Sequence, residues 1–220
     1  MLPFTEKKKM LKLVIFDCDG VMFNSKEANR AYYNHLLDTF NCPPMTEDEV
    51  DFVHVHNVTD SVAHIFRRHP QVSADAVDRY RTELDYGPFL KHMNMEPDLI
   101  DFLELIKPRY HTAISTNRTT TMDMVLDMFD LRARFEIVVT ALTAPRPKPA
   151  PDGLYMILEH FGLQPDEAIY IGDSDVDREH CAGVGVPLIA FKNPELTADY
   201  HVENFMTIAG LPPFLTPEAT

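Results

Sequence analysis

The chain has 220 residues, of which 45% are hydrophobic and 25% charged, and its formal net charge is −14. This length suits one sizeable domain or a core with an insertion, and the composition is ordinary for a globular protein. The acidic balance argues against nucleic acid and anionic membrane surfaces as main partners, and an anionic substrate would require a cation or a local basic cluster.

The first predicted element is a short buried strand that ends in two acids. Four apolar residues from Leu13 to Phe16 lead directly into Asp17, Cys18, Asp19 and Gly20. A continuous apolar run bounded by a turn signal is typical of a strand buried on both faces, and open α/β sheets bind ligands at the carboxyl ends of such strands. Taken alone, the two acids could equally belong to a solvated turn.

The next block of the chain is helical. Helical periodicity or capping signals predict four helices, which begin near Ser25, Thr46, Thr59 and Ser73. Thr46 with Glu49 three residues later forms a capping box at the start of the second helix. We therefore predict an all-helical domain over residues 24–92.

From residue 93 onward, predicted strands alternate with helices. The elements are a helix from Pro97 to Pro108, a strand His111–Asn117, a helix Thr119–Phe129, a strand Phe135–Thr140, a proline-rich loop Pro145–Pro151, a helix Leu154–Phe161, a strand Ala168–Ile171, a helix Val176–Gly183 and a strand Pro187–Phe191. Such alternation predicts an α/β fold with a doubly wound parallel sheet. Residues 1–23 and 93–220 then form one α/β core, and the helical block is inserted between its first and second strands.

Four polar clusters follow predicted strands or lie on a loop beside them. They are Asp17 with Asp19, Thr116 with Asn117, Lys148, and Asp173 with Asp177. In a parallel sheet all four meet at one edge. Several carboxylates placed together repel one another and are stable around a hard cation, for which oxygen ligands indicate Mg²⁺. A hydroxyl, backbone amides and a lysine make a phosphate site, and a carboxylate facing phosphorus would be a nucleophile that forms an aspartyl-phosphate.

The same clusters carry a resemblance to a known family. The motifs are Asp17-Cys18-Asp19-Gly20-Val21, Ser115-Thr116-Asn117, Lys148-Pro149-Ala150-Pro151-Asp152 and Gly172-Asp173-Ser174-Asp175-Val176-Asp177. This set resembles the four motifs of the haloacid dehalogenase superfamily, closest to its phosphoglycolate phosphatase and β-phosphoglucomutase-like branch. The helical block after the first motif resembles the cap of that branch. The resemblance runs from about Leu11 to about Phe191 and implies a Rossmann-like hydrolase core with an inserted cap.

The resemblance implies roles for the residues that contact the reacting phosphate. Asp17 attacks phosphorus, and Asp19 protonates the leaving alcohol and then activates the water that hydrolyses the aspartyl-phosphate. Thr116 and the backbone amide of Asn117 hold the phosphoryl oxygens. Lys148 neutralises charge on the phosphate and on the nucleophile, unless it is an ordinary solvated lysine between prolines.

The resemblance also implies a Mg²⁺ site. Asp17, Asp173 and the backbone carbonyl of Asp19 are the expected ligands, and Asp177 either holds a metal-bound water or supports the ligands. Asp175 suits the start of a helix, where acids are favoured anyway.

Other expected substrate contacts lie beside the phosphate site and on the cap. Arg118 is expected to add positive charge next to the phosphate site, and Ser115 is the alternative to Thr116 as the phosphate ligand. In the cap, the loop over residues 54–58 is expected to close over the site, with His56 and Asn57 in contact with substrate. The alternative is that these two are surface polar residues.

The function implied is a Mg²⁺-dependent phosphatase that hydrolyses a small phosphorylated metabolite, with a cap that excludes larger substrates and water. A phosphomutase with the same residues is the main alternative, since it differs only in returning the phosphoryl group to a sugar. A dehalogenase is disfavoured because its relatives lack an acid at the position of Asp19. A phosphonate hydrolase is disfavoured because Asp19 is present and no cap lysine is placed for a Schiff base. A silent phosphate-binding regulatory module predicts loss of a motif residue, and none is lost.

Cysteine usage and hydropathy give the expected compartment. The three cysteines, Cys18, Cys42 and Cys181, are far apart and predict reduced thiols rather than disulfides. No apolar stretch approaches the length of a membrane span. We expect a cytoplasmic enzyme, a monomer or weak dimer, whose partner is a small phosphorylated substrate rather than nucleic acid or membrane.

Overall fold

The computed structural model describes residues 10–56 and 58–215 of the chain. These residues form two compact units, one within 1–22 and 96–220 and the other within 23–95. The strands are β1 Leu13–Phe16, β2 Phe23–Asn24, β3 Asn94–Met95, β4 His111–Ser115, β5 Ile137–Val139, β6 Ala168–Gly172, β7 Leu188–Phe191 and β8 Tyr200–Val202. The helices are α1 Lys26–Thr39, α2 Glu47–Val55, α3 Val58–Phe66, α4 Ala74–Glu83, α5 Gly87–Leu90, α6 Leu99–Ile106, α7 Thr121–Met128, α8 Asp152–Phe161, α9 Asp175–Ala182 and α10 Phe205–Ile208. Within the described ranges, no helix is both long and apolar enough to cross a membrane.

The first unit is built on a six-stranded parallel sheet with the order β5-β4-β1-β6-β7-β8. Strand β1 lies in the middle, between β4 and β6, and the chain adds strands first on one side of it and then on the other. The carboxyl ends of β1, β4 and β6 therefore meet where the strand order reverses, which is the crevice that open α/β sheets use for ligands. The predicted doubly wound parallel sheet is confirmed.

Strand β1 is buried on both faces, as its apolar run predicts. Leu13 and Ile15 are fully buried in the core cluster on one face, which also contains residues of α8 and β6. Phe16 points to the other face, where its ring centroid lies 5.5 Å from that of Phe135 and 5.9 Å from that of Phe205. Because the apolar side chains fix the register of the central strand, they also fix where the acids that follow it emerge.

The carboxyl-terminal part of the chain has more regular structure than its sequence indicates. Strand β8 and helix α10 follow β7, although the sequence predicts no element beyond Phe191. Phe214 is buried in the segment after Gly210, and its carbonyl oxygen accepts a hydrogen bond of 3.4 Å from the Tyr110 hydroxyl. The residues around 200–214 therefore belong to the folded core.

The second unit has its own apolar core. Helices α1 to α3 supply several of its fully or nearly fully buried side chains, among them Leu36, Leu37, Val50 and Ile65. The predicted capping box is confirmed, since the Thr46 hydroxyl accepts from the Glu49 backbone and the Glu49 carboxylate accepts from the Thr46 backbone. Strands β2 and β3 pair antiparallel at the two ends of this unit, which the helical pattern does not predict.

We expect Phe16→Ala to lower the free energy of unfolding by about 3–5 kcal/mol, because the truncation leaves a cavity among packed aromatic rings. The control is Leu105→Ala on α6, where the side chain is 49% exposed and little burial is lost. Urea unfolding followed by circular dichroism measures both variants. Equal effects of the two substitutions would contradict the packing described for β1.

Candidate active site

The two acids of the first motif emerge at the carboxyl end of β1. The Asp17 backbone N–H still donates to the Ile171 carbonyl at 2.9 Å, so Asp17 continues the sheet ladder. Its side chain is buried, and Oδ1 accepts from the Cys18 backbone N–H at 2.7 Å. Gly20 then has φ +80°, a backbone conformation that favours glycine. The strand therefore fixes Asp17, and the turn after it carries Asp19.

The Lys148 ammonium contacts Asp17 of the first motif and Asp177 of the fourth. Its Nζ is 2.9 Å from Asp17 Oδ1 and 2.7 Å from Asp177 Oδ1, and the residue is only 8% exposed. Nζ also lies 3.0 Å from the Tyr170 hydroxyl oxygen. The expected alternative of a solvated lysine between prolines is therefore wrong. A buried ammonium requires such partners because leaving it unpaired would be costly.

Asp177 organises the end of β6 and the start of α9. Its Oδ2 accepts from the backbone N–H groups of Asp173 and Ser174 and from the Ser174 hydroxyl, at 3.1, 3.2 and 2.9 Å. Its Oδ1 accepts from Lys148, as described above. Gly172 makes this approach feasible, since a Cβ on it would lie 2.5 Å from the Cβ of Asp177.

Asp17, Asp173 and Asp177 form a carboxylate cluster. One oxygen from each lies within 4.8 Å of the other two. Gly20 allows Asp173 to sit here, because a Cβ on Gly20 would lie 1.9 Å from Asp173 Oδ2. Three carboxylates at this separation, with oxygen as the only ligand atom, fit a hard divalent cation.

Burial and the neighbouring charges shift the pKa values of the three carboxyl groups in the cluster. Burial raises the pKa of Asp17 to about 7, against the lowering effect of Lys148. Burial also raises the pKa of Asp173 well above its usual range, and the charges of Asp17 and Asp177 raise it further. For Asp177 burial raises the pKa, but Lys148 and the Ser174 donor lower it more, so its net shift is downward. Lys148 alone therefore does not offset the cost of ionising all three carboxyl groups, and a bound divalent cation would lower that cost.

The second motif follows β4. Thr116 is buried, its Oγ1 accepts from the Arg118 backbone N–H at 3.1 Å, and it lines a shallow recess together with Lys148. The Asn117 side-chain amide donates to the Lys148 carbonyl at 3.0 Å, which ties the second motif to the third. Ser115 instead lies with its Oγ 3.0 Å from His180 Nε2.

His180 links three segments around the site. Its Nδ1 is 2.6 Å from the Ala150 carbonyl oxygen, which can only accept, so Nδ1 carries the proton and Nε2 accepts from the Ser115 hydroxyl. Burial, followed by the charge of Lys148, lowers the pKa of His180 to about 4. The neutral imidazole therefore joins α9 to β4 and to the loop that carries Lys148.

Arg118 pairs with the second acid of the first motif. Its Nη2 is 2.6 Å from Asp19 Oδ1, and the Arg118 side chain is 6% exposed while that of Asp19 is 25% exposed. Arg118 is expected to contact substrate, and the structure places it against Asp19.

The remaining predicted contacts lie on the helical unit. His56 is exposed, its Nδ1 is 2.8 Å from the Phe52 carbonyl, and its ring stacks on the Phe52 ring at a centroid distance of 3.7 Å. Asn57 lies outside the described residues. On the core unit, Asp175 is exposed and pairs with Arg178 at 2.7 Å, as a helix-start acid would.

Two residues of the site, Tyr170 and His180, are not among those predicted from the sequence. Tyr170 places its hydroxyl 2.8 Å from the Ser115 carbonyl and 3.1 Å from Asp177 Oδ1, and its single proton can serve one of these at a time. The available signal was a hydroxyl in an otherwise apolar buried strand, which must find a partner. His180 stands three residues after Asp177 and so shares its helix face.

Comparison with known proteins agrees with this geometry. The family of haloacid dehalogenase-like hydrolases matches residues 14–191, which contain all four motifs. A solved haloacid dehalogenase-superfamily hydrolase of subfamily IA, variant 1, from Geobacter sulfurreducens is 36% identical with a TM-score of 0.81, and the match covers 91% of this chain and 98% of that one.

Two curated relatives are named as a phosphatase and a pyrophosphatase. A phosphoglycolate phosphatase from Haemophilus influenzae is 28% identical over 80% of this chain and 84% of its own length. The pyrophosphatase PpaX from Bacillus pumilus is 26% identical over 74% of this chain and 75% of its own length. Fold, site and relatives define an enzyme of the phosphatase class. The chain belongs to the haloacid dehalogenase-like hydrolase family.

Gly20→Ala should impair the carboxylate cluster, because the added Cβ forces the Asp173 side chain to rotate away. We expect the Mg²⁺ concentration for half-maximal hydrolysis of p-nitrophenyl phosphate to rise by about 10–100-fold, as when metal-site support is lost. Gly185→Ala is the matched control, since Gly185 has φ +86° with nothing within 4 Å of the added Cβ. Both variants carry a similar backbone penalty of about 1–2 kcal/mol. A similar Mg²⁺ requirement in the two variants would contradict the contact between Gly20 and Asp173.

His180 should make the stability of the fold depend on pH. Between its ordinary pKa of 6.5 and the folded value of about 4, the unfolded chain binds a proton that the folded chain does not, so stability is lost as pH falls through this window. We expect the unfolding free energy of the wild type, relative to His180→Gln, to fall by up to about 3 kcal/mol from neutral pH to pH 4. Urea unfolding across this pH range measures it. A difference that stays constant with pH would contradict a buried neutral imidazole.

Proposed function

We propose that this chain is a Mg²⁺-dependent phosphatase that hydrolyses a small phosphorylated metabolite through an aspartyl-phosphate on Asp17. The observation that carries the proposal is the placement of a buried carboxylate 2.9 Å from a buried ammonium, at the end of the central strand and beside two more carboxylates. A carboxylate that contacts an ammonium group and lies at the carboxyl end of a strand, where open α/β sheets bind ligands, is placed to attack phosphorus.

In the first step an Asp17 carboxylate oxygen forms a bond to phosphorus as the bond from phosphorus to the leaving oxygen breaks. Asp19 gives its proton to that leaving oxygen, so the product is the free alcohol. Lys148 offsets the negative charge that develops on the phosphoryl oxygens and keeps Asp17 directed at them. Thr116 and the Asn117 backbone amide hold the phosphoryl group, and the engagement of Ser115 with His180 favours Thr116 for this task.

In the second step water attacks phosphorus and the bond between phosphorus and Asp17 breaks. Asp19, now ionised, takes a proton from that water, which restores both aspartates and releases inorganic phosphate. One carboxyl group thus serves as acid and then as base, so no other proton donor is needed.

Asp17, Asp173 and the backbone carbonyl of Asp19 are the groups that would hold Mg²⁺, which when bound supplies positive charge against the transferring phosphoryl group. Both oxygens of Asp177 already accept hydrogen bonds. Of the two roles expected for Asp177, these contacts favour support of the ligands and of Lys148. His180 and Tyr170 hold the strand ends and the lysine loop around them.

Hydrolysis is favoured over transfer to a second sugar position by the curated relatives, which are named as phosphatases and a pyrophosphatase. The presence of every acid, hydroxyl and lysine expected to act, with Asp17, Lys148, Asp173 and Asp177 close together, also disfavours a silent phosphate-binding module. The phosphoglycolate phosphatase relative makes phosphoglycolate the first candidate substrate to assay.

We further propose that the helical unit serves as a cap during turnover and that His56 contributes to substrate contact. This part rests on the resemblance and on the separate apolar core of that unit. A cap would shut out protein-sized substrates and exclude bulk water during the first step, before the aspartyl-phosphate has formed.

We expect Asp17→Asn to abolish hydrolysis of p-nitrophenyl phosphate and of phosphoglycolate, because an amide is a poor nucleophile and Asn cannot pair with Lys148 as a carboxylate does. The matched control is Asp175→Asn in the fourth motif. The Asp175 side chain is 78% exposed, so we expect the activity of this variant to be unchanged. Saturating EDTA should abolish wild-type activity, and added Mg²⁺ should restore it.

Phosphate release by the purified chain measures all three conditions. Full activity in Asp17→Asn would contradict the nucleophile assignment. Full activity in EDTA would instead contradict the metal requirement, so the two parts of the proposal fail separately.

A further inference from the structure

Asp19 is the proton-transfer residue of the proposed reaction, but it lies beyond the end of β1, between two turn residues. Its side chain is 25% exposed and it is followed by Gly20 at φ +80°. Proton transfer requires a carboxylate held in one direction relative to the leaving oxygen. A contact that provides this direction is Arg118 Nη2, 2.6 Å from Asp19 Oδ1.

Arg118 is itself held on several sides. Its backbone N–H donates to Thr116 Oγ1 at 3.1 Å, and its carbonyl accepts from the Ala141 backbone N–H at 3.0 Å. Its Nη1 donates to the Thr121 hydroxyl at 3.3 Å. The backbone bonds tie Arg118 to the segments after β4 and β5, and the Thr121 bond ties the guanidinium to the first residue of α7. With the side chain only 6% exposed, the guanidinium has little freedom to follow a moving carboxylate.

We propose that Arg118 is a positioning residue for Asp19, holding the carboxylate in the direction that proton transfer to the leaving group and from water requires. This rests on the proposed function, because it assigns Arg118 a task within that reaction. It differs from the expected role of Arg118 as a substrate contact. A contact to substrate would act whatever the leaving group is, whereas a positioning residue for Asp19 acts only where a proton must move.

Substrates with different leaving groups distinguish a positioning role of Arg118 from a substrate-binding role. Departure of p-nitrophenolate needs no protonation, while departure of an alcohol from glycerol 2-phosphate does. The ratio kcat/KM reports the steps up to formation of the aspartyl-phosphate, so it is independent of the later water attack. The leaving-group dependence of kcat/KM is therefore a direct readout of Asp19 as an acid.

The variants are Arg118→Met, which removes the charge and the hydrogen bonds, and Arg118→Lys, which keeps the charge. Arg134→Met is the control, since Arg134 pairs with Glu104 on a different part of the core. For glycerol 2-phosphate we expect Arg118→Met to lower kcat/KM by about 100-fold, the usual size of a general-acid contribution. For p-nitrophenyl phosphate we expect a fall below about 3-fold, with KM nearly unchanged. Arg118→Lys should recover part of the loss, and it keeps the test valid if Arg118→Met does not fold.

The same substitution in an Asp19→Asn background completes the test. If Arg118 acts through Asp19, Arg118→Met should cause little further loss of glycerol 2-phosphate hydrolysis once Asp19 is gone. An equal loss for both substrates, expressed in KM and persisting in the Asp19→Asn background, would overturn the proposal and assign Arg118 to substrate binding. Failure of the proposed function is distinguishable, because it would appear as p-nitrophenyl phosphate hydrolysis that does not depend on Asp17.

Discussion

The packing of buried carboxylates around one lysine is the constraint on which the rest of the structure depends. Asp17, Asp173 and Asp177 bring oxygens within 4.8 Å of one another, and Lys148 contacts two of the three. Burial makes ionisation of these carboxyl groups costly and the nearby like charges add to the cost, which is why the pKa values of Asp17 and Asp173 are raised. The arrangement makes physical sense for a protein that binds a cation and a phosphoryl group at this place.

The surrounding fold serves this cluster. Strands β1 and β6 are neighbours with paired ends, so the first and last motifs meet although they are far apart in the chain. Glycines at positions 20 and 172 leave the space that Asp173 and Asp177 occupy. Tyr170 and His180 hold the strand ends and the lysine loop with hydrogen bonds rather than with further charge. The net charge of −14 is compatible with an anionic substrate because Lys148 lies at the site and the carboxylate cluster fits a divalent cation.

The sequence predicts the helices and strands whose signals lie in residues that are neighbours along the chain. The apolar run before Asp17, the capping box at Thr46 and the strand–helix alternation after residue 93 each predicted the element that is present. The sequence does not predict strand β8 because its three residues, unlike the three of β5, include a polar histidine and form no continuous apolar run, and helix α10 has only four residues, too few for a helical period. Ribbon β2–β3 was missed because its two strands have two residues each and come together only in the folded chain.

Within the site, residue types and order were sufficient to predict that Asp17, Lys148, Asp173 and Asp177 would converge. The partners of those residues were not predictable in the same way. The pairing of Arg118 with Asp19 depends on a separation of 99 residues in sequence and on where the loop after β4 turns. The hydrogen bonds of His180 likewise depend on how close Ser115 and Ala150 come to α9 in the folded chain, which no local pattern encodes.

The most direct test of this account is the identity of the residue that carries the phosphoryl group. The Asp19→Asn variant should form the intermediate from p-nitrophenyl phosphate but hydrolyse it slowly, because water is no longer activated. Acid quenching, borohydride reduction and peptide mass spectrometry would then locate the acyl-phosphate. The account predicts that position 17 is converted to homoserine. Turnover by the wild type together with labelling of a different residue, or with no labelled residue in the variant, would contradict it.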